Sequence, residues 1–265
     1  MNIDNLNKAA DILFNSRINL KRITKLPKEC SPKNNNEAYA IQNILVDKYL
    51  IENQKNIVIG KKIGCTNKEA QKQINVSEPF YGNIFLHYSS NSNCTLNSNL
   101  FAKPFMEPEF SFKIKKEFDI SEAPYSLEKI YKCIDLVLPS IEIVDSRFQD
   151  WTKVGINNII ADNAANAYWI HGNETNNLNL FNFNDHPVVV YINDKITYTG
   201  NSNKVLNNPI NSLRWLINKL AAKGKILNKN DYISTGTCTP AIPINKGDNI
   251  CADFGKLGKI KLNFI

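Results

Sequence analysis

Much that would place this chain quickly is missing from it. No run of about 18 apolar residues occurs, so no transmembrane helix is expected. There is no G-x-G-x-x-G, no P-loop and no internal repeat, which removes dinucleotide-binding, P-loop and solenoid proteins. The six cysteines (30, 65, 94, 133, 238 and 251) include no C-x-x-C pair and no zinc-ligand spacing. The opening stretch, MNIDNLNKAADILFNSRINLKRI, is amphipathic but too polar for a secretory h-region. Reduced thiols in a cytoplasm are therefore expected. The net charge is +7, yet the lysines are scattered and no arginine-rich arm or long basic helix appears. Nucleic acid is not an expected partner, nor is a membrane.

What is present suits a soluble globular protein. The chain has 265 residues, 43% of them hydrophobic, enough to bury a sizeable core. Residues 4–22 and 36–52 carry apolar stripes at helical spacing, the second capped by an Asn at 35 or 36. NIVIGKKIG reads as a strand and 67–74 as a turn or two of helix. HYSSNSNCTLNSN is polar and reads as exposed. SLEKIYKCIDLVL, residues 126–138, reads as a helix ended by Pro139. Strands follow at PSIEIVDSRF, YWIHG and HPVVVYINDKITYTG, the last with a hairpin at Asn193-Asp194. Residues 208–223 form the clearest helix, capped by Asn208, with Pro209 in its first turn and Gly224 beyond its end. The tail is β-rich. The pattern predicts an α+β protein with a mostly antiparallel sheet. A helical N-terminal region, 1–75, leads into a β-rich catalytic core, 76–265, within one compact domain.

KPFMEPEFSFKI, residues 103–114, carries the chemistry. As a strand it points Met106, Pro108, Phe110, Phe112 and Ile114 one way, and Glu107, Glu109, Ser111 and Lys113 the other. Two solvated glutamates on the open face of a half-buried sheet are one reading. The other is that both carboxylates aim at one cation. Glu142, opposite Ile141 and Ile143 in a second predicted strand, could complete a cluster of oxygens suited to Mg²⁺ or Mn²⁺. The sequence does not say whether those two strands are neighbours.

The surrounding segments are more specific. GKKIGCTNKEAQKQINVSEPFYGNIF, MEPEFSF, LPSIEIVDSRFQDW, IADNAANAYWIHG and STGTCTPAIPINKGDNICADFGKLGKIKLNF occur in that order, joined by EAYAIQ and NSLRWLINKLAAKG. From about residue 36 to the C-terminus the chain resembles the 2-keto-4-pentenoate hydratase family of the fumarylacetoacetate hydrolase superfamily. The resemblance implies a mixed β roll with helices packed outside. It implies Mg²⁺ or Mn²⁺ on Glu107, Glu109 and Glu142. It places the K-I-G lysine at Lys62 and the T-G loop at Thr235, Gly236 and Thr237. The D-N-A segment, Asp162, Asn163 and Ala164, would line the pocket with Tyr81, and Glu78 in SEPFYG would orient water. Two departures stand out: Phe80 where several hydratases carry an acidic residue, and Ala165 where several carry Ser.

The implied reaction is hydration of a 2-hydroxy-2,4-dienoate to a 4-hydroxy-2-keto acid. Lys62 is the expected proton carrier or electrostatic partner, its pKa lowered in a dry pocket beside a metal; Lys61 is read as solvated. Asp145 and Arg147 look like a structural charge pair. Three alternatives remain open. One is a decarboxylase of 2-keto dioic acids of the 4-oxalocrotonate type, which a second basic pocket would favour. A C–C hydrolase would want a His–Glu pair, and the only histidines are His87, His171 and His186. The third is a non-catalytic partner subunit. The expected partners are a small 2-keto acid, further copies of the chain and a related decarboxylase.

Overall fold

Two strands of ten and eleven residues, Phe105–Ile114 and Ile134–Val144, pair along nearly their whole length and form the spine of the molecule. The computed structural model describes residues 1–265, the side chain of Gln73 excepted. In chain order its elements begin α1 (Ile3–Ile18), α2 (Asn35–Glu52), β1 (Val58–Gly64), α3 (Lys68–Gln73), β2 (Phe80–Phe85), β3 (Ser89–Asn91), β4 (Cys94–Leu96) and β5 (Phe105–Ile114). They continue α4 (Leu127–Cys133), β6 (Ile134–Val144), α5 (Ile156–Ala161), β7 (Asn166–His171), β8 (Pro187–Ile192), β9 (Lys195–Asn201) and α6 (Pro209–Ala221). Last come β10 (Tyr232–Thr237), β11 (Ile242–Pro243), β12 (Asp248–Asp253) and β13 (Lys259–Phe264).

The larger sheet runs β2-β1-β10-β5-β6-β7-β3, with β11 added to β5; the smaller runs β4-β13-β12-β8-β9. Only β1–β10, β3–β7 and β4–β13 are parallel. This is the expected α+β class with a mostly antiparallel sheet. The apolar face of β5 packs into the main core, where Phe110 meets Phe183 and Phe254 edge-on. The smaller sheet faces the same core: β13 alternates exposed and buried along KIKLNF. Helices α1 and α2 close a second cluster around Leu13, Ile41, Leu45, Tyr49 and Phe85. Among the described residues no helix is long and apolar enough to cross a membrane.

Local chemistry explains most boundaries. Asn208 accepts the Ile210 N–H at the start of α6, and Gly224 follows its end at φ 67°. Asn193 and Asp194, at φ 52° and 62°, make the β8–β9 turn. The cap of α2 is Asn34, one residue before the expected pair. HYSSNSNCTLNSN is not wholly loose: β3 and β4 in it pair with β7 and β13.

The helix expected over 126–138 is a correction. It stops at Cys133, and β6 runs straight through Pro139. Leu127, Ile130, Ile134 and Leu138 fit a helical period, but the sheet claims the apolar second half of the segment. Pro139 fits because its missing N–H faces the side where β7 has ended; its carbonyl accepts the Gly172 N–H there. Pro108 in β5 is tolerated likewise: it lies just past the end of β10, where its carbonyl accepts the Cys238 N–H at 2.9 Å.

Candidate active site

The spine pairing decides the first question the sequence left open. Glu107 on β5 lies directly opposite Glu142 on β6, and Glu109 follows two residues along the same face. One carboxylate oxygen from each of the three lies within 4.8 Å of the others. Two of these glutamates, Glu109 and Glu142, are fully buried, and Glu107 is half-buried. Glu109 Oε2 accepts hydrogen bonds from Ser234 Oγ at 2.6 Å and from the Gly236 N–H at 2.9 Å. Gly236 is required there, because at φ 107° a Cβ would stand 1.9 Å from Thr66 Oγ1. Glu142 Oε1 accepts from Asn166 Nδ2 at 2.8 Å. Glu109 Oε1, although buried, has no partner at all.

Burial raises the affinity of all three carboxyls for protons. It pushes Glu107 up to about 7, with Lys62 pulling back and Glu142 adding to the rise. Glu109 stands well above the ordinary carboxylate range, from burial first and then the charges of Glu142 and Glu107. Burial raises Glu142 as well. Three crowded carboxylates with an orphaned buried oxygen are an incomplete charge set. A hard divalent cation completes it, and the all-oxygen donors fit one.

Lys62 lies beside them, 2% exposed. Its Nζ is 3.1 Å from Glu142 Oε2 and donates to the Ala164 carbonyl at 3.0 Å. The expected lowering of its pKa is reversed. Burial alone would lower it, but Glu142, then Glu107 and Glu109, outweigh burial and raise it. The Ala164 carbonyl reaches Lys62 because Asn163, Ala164 and Ala165 are left-handed in succession, at φ 48°, 55° and 60°. Such residues cost roughly 1–3 kcal/mol each. A two-way lock of Asn163 with Asn83 holds them: Asn163 Oδ1 accepts the Asn83 N–H at 2.8 Å, and Asn163 Nδ2 donates to the Asn83 carbonyl at 3.0 Å.

A cavity opens on this cluster, with about 90 Å³ of space for the centres of water-sized bodies. That is several times the roughly 10–15 Å³ one water needs, so a small organic acid fits. Lys62, Glu107, Thr237 and Ala164 line it, as do the two departures, Phe80 and Ala165. Other expected residues sit elsewhere. Glu78 forms a surface ion pair with Lys219 of α6, at 2.7 and 2.9 Å, and does not line the cavity. Tyr81 points to the far side of β2, stacked on Tyr39. Asp162 is buried against Arg147, which also corrects the expected Asp145–Arg147 pair. Asp145 instead accepts the N–H groups of Ala102 and Lys103, both at 2.8 Å. Asn163 and Thr235 brace backbone behind the cavity: Thr235 Oγ1 donates to the Phe110 carbonyl at 2.7 Å. Lys61, read as solvated, is half-buried and donates to Asn83 Oδ1 at 2.8 Å.

Arg22, Lys103, Phe105, Val144 and Trp151 also line the cavity and were not singled out from sequence. Lys103 and Phe105 were legible, since they continue the period-two face of Glu107. Arg22 carried no local signal. It arrives through the bridge between Ile23 and Phe148.

Comparison with known proteins follows the same lines. No family model matches the chain. A fumarylacetoacetate hydrolase family protein from Yersinia pestis matches with a TM-score of 0.57 at 12% identity, over 78% of this chain and 94% of that one. At that identity the likeness concerns the fold alone. That fold and the carboxylate cluster together define a class: an α+β roll with an all-oxygen site suited to a divalent ion. The chain is 31% identical to 2-oxo-hept-4-ene-1,7-dioate hydratase of Escherichia coli over 86% of each. It is 25% identical to 2-keto-4-pentenoate hydratase 1 of Dechloromonas aromatica over 97% of this chain and 95% of that one. The chain therefore belongs to the 2-keto-4-pentenoate hydratase family. The 4-oxalocrotonate decarboxylase from Pseudomonas putida G7, solved with magnesium and adipate, superposes with a TM-score of 0.92 at 26% identity, over 100% of this chain and 99% of that one.

Proposed function

We propose that the protein is a hydro-lyase that adds water to a 2-hydroxy-2,4-dienoate of the 2-keto-4-pentenoate type, giving a 4-hydroxy-2-keto acid. One observation carries this: Glu107, Glu109, Glu142 and Lys62 form one cluster, opening through Glu107 and Lys62 on a cavity, in a chain of the hydratase family. The three glutamates hold a divalent ion, Mg²⁺ or Mn²⁺. A bound ion supplies the Lewis acid that stabilises the enolate of a 2-keto acid. The remaining work belongs to the chain. The dienol needs a proton at its far carbon, and water then adds at the conjugate position. Lys62 is the proton carrier: Glu142 and the Ala164 carbonyl fix its Nζ, and the surrounding carboxylates keep it charged. Ile63, Ile74, Phe80 and Ile159 make the cavity wall apolar, which limits stray water.

A nucleophilic cysteine has no place in this scheme. Burial, then the charge of Glu107, pushes the Cys65 thiol up to about 12. A His–Glu hydrolase is not supported either. His186 Nε2 is engaged with the Phe254 carbonyl, His171 stacks on Trp169, and no histidine lines the cavity. Decarboxylation of a 2-keto dioic acid is the second reading, favoured by the superposition on the decarboxylase. A homo-oligomer, with or without a related decarboxylase, remains part of the proposal, supported by the exposed edge strand β9. Six free thiols suit the proposed cytoplasmic setting.

The test is the absorbance decay of fresh 2-hydroxypenta-2,4-dienoate with Mg²⁺ or Mn²⁺, repeated with excess EDTA and with the Glu107→Gln, Glu109→Gln double variant. Metal-dependent decay to 4-hydroxy-2-oxopentanoate, abolished in the variant, is expected. Metal binding without decay on this substrate would overturn the hydratase assignment and favour the decarboxylase.

A further inference from the structure

Three side-chain hydroxyls line the cavity, on Thr66, Ser146 and Thr237, and two of them are already engaged. Ser146 Oγ donates to Asp162 Oδ2 at 3.3 Å and accepts the Phe148 N–H at 3.1 Å. Thr237 Oγ1 donates to the Thr239 carbonyl at 2.8 Å and accepts the Thr239 N–H at 3.2 Å. Thr66 Oγ1 has no partner among the described residues, although Thr66 is only 1% exposed. A buried donor left unpaired forfeits the hydrogen bonds it made to water, so such a group calls for an explanation.

The backbone holds Thr66 firmly in this state. Strand β1 ends at Gly64, and Cys65, at φ 62°, turns the chain. The Thr66 carbonyl accepts the Leu206 N–H at 2.8 Å. Asn67 follows at once as the cap of α3, its Oδ1 accepting the Ala70 N–H at 2.7 Å. Thr66 is thereby pinned from both sides. Its Oγ1 rests against Gly236, where a Cβ would come within 1.9 Å of it. Gly236 is the residue whose N–H binds Glu109 Oε2. The free hydroxyl therefore sits beside the Glu109 clamp, at the carboxylate end of the cavity. The wall offers little else to a polar ligand: the side chains of Ile63, Ile74, Phe80 and Ala165 present only carbon. Lys62 is already engaged with Glu142 and the Ala164 carbonyl.

We infer that Thr66 is a substrate-binding residue, its hydroxyl donating to the carboxylate of the 2-keto acid head. The inference deepens the proposed function and rests on it. A 2-keto acid held by two of its three oxygens keeps one carboxylate oxygen in need of a donor. A neutral hydroxyl at the glutamate end supplies that donor without adding charge to the cluster. The contact is to the part that every 2-keto acid shares. It therefore bears on binding of the whole class and not on the choice among tails. Thr66 takes the part expected of Thr237, whose hydroxyl is spent within its own loop.

Calorimetric titration of the Mg²⁺-loaded protein with 2-oxobutanoate tests this, on the unaltered chain, Thr66→Val and Thr66→Ser. Valine keeps the shape of threonine and removes only the hydroxyl. Loss of a hydrogen bond to a charged group predicts binding about tenfold or more weaker in Thr66→Val. Thr66→Ser keeps the donor and should stay within about threefold of the unaltered protein. The affinity for Mg²⁺ alone should not differ among them. A melting curve separates binding from structure. Because the hydroxyl has no partner in the fold, acid-free Thr66→Val should melt at or above the unaltered temperature. Unchanged 2-oxobutanoate affinity in Thr66→Val would overturn the inference and leave the metal-headed reading standing. So would a marked fall in its melting temperature, which would show the hydroxyl to be paired within the fold. A parallel loss of Mg²⁺ affinity would also overturn it, by assigning Thr66 to the ion. No binding of 2-oxobutanoate to the unaltered, Mg²⁺-loaded protein would overturn the 2-keto acid reading itself, and this inference with it.

Discussion

Two buried ion pairs lie within a few residues of each other in this fold, and they are built to opposite ends. In the Arg147–Asp162 pair every polar atom of the carboxylate is used. Asp162 Oδ1 takes Arg147 Nε, and Oδ2 takes the Arg147 N–H at 3.0 Å and Ser146 Oγ at 3.3 Å. Arg147 Nη2 and Nη1 go to the Asp162 and Asn166 carbonyls, at 2.7 and 3.3 Å. The Lys62–Glu142 pair instead shares its surroundings with two further carboxylates, and one buried oxygen is left over. The first pair joins α5 to the end of β6, and only its arginine borders a cavity, a small separate one of about 10 Å³. The second opens on the larger cavity, which Lys62 lines. What marks a site here is not buried charge but buried charge left unbalanced.

Substitutions should separate the two. Asp162→Ala leaves the Arg147 guanidinium buried and unpaired, and is expected to cost about 3–5 kcal/mol. Urea denaturation of the variant checks this; a loss under 1 kcal/mol would break the comparison. Ion binding comes next in size. At about 100 times its dissociation constant, Mg²⁺ should stabilise the native protein by about 2.7 kcal/mol, and the Glu107→Gln, Glu109→Gln variant by almost nothing. Melting curves with and without EDTA read the difference. Smaller still is Glu109→Gln measured in EDTA. The amide oxygen can still accept from Ser234 and Gly236, and a crowded charge is removed. Stability should change by less than about 1 kcal/mol, in contrast to Asp162→Ala. A loss of several kcal/mol would mean that Glu109 is structural.

Much of this is legible in the sequence alone. The strong helices at 35–52 and 209–221, the Asn193-Asp194 hairpin and the E-x-E strand all announce themselves through caps, turn residues and period-two alternation. The ordered segments carried the fold class and the family. What stayed hidden depends on contacts between distant segments. Residues 134–138 fit a helical stripe, and only pairing with β5 makes them strand. Asp145 and Arg147 are two residues apart, yet the arginine turns to Asp162 across a loop. Glu78 and Tyr81 lie in a segment that does approach the cavity, but β2 alternation gives the inner position to Phe80. The left-handed run of Asn163, Ala164 and Ala165 has no counterpart in residue preference, because alanine does not favour that conformation.

Lys61 offers the finest test, because it sits beside Lys62 and faces the opposite side of the sheet. Lys62 is held charged by carboxylates; Lys61 has a neutral acceptor, Asn83 Oδ1, and lies 5.5 Å from the Tyr81 ring centroid. Burial lowers its pKa to about 8, Asp231 offsetting and Lys225 reinforcing the shift. Below pH 8 the ammonium is charged in both the native and unfolded chain, and the native state carries the desolvation cost. Between pH 8 and the unfolded value near 10.5, the native protein binds fewer protons than the unfolded chain, so its stability rises with pH. Above that range both are neutral and the rise ends. Relative to Lys61→Met, the unaltered protein should therefore gain stability from pH 8 to 10.5. The gain should be on the order of 1 kcal/mol, since a half-buried ammonium keeps part of its hydration. Denaturation midpoints of the two proteins at pH 7, 9 and 10.5 measure it. A constant difference would show that Lys61 stays hydrated in the fold, and that the contrast between the two faces of β1 lies in their neighbours alone.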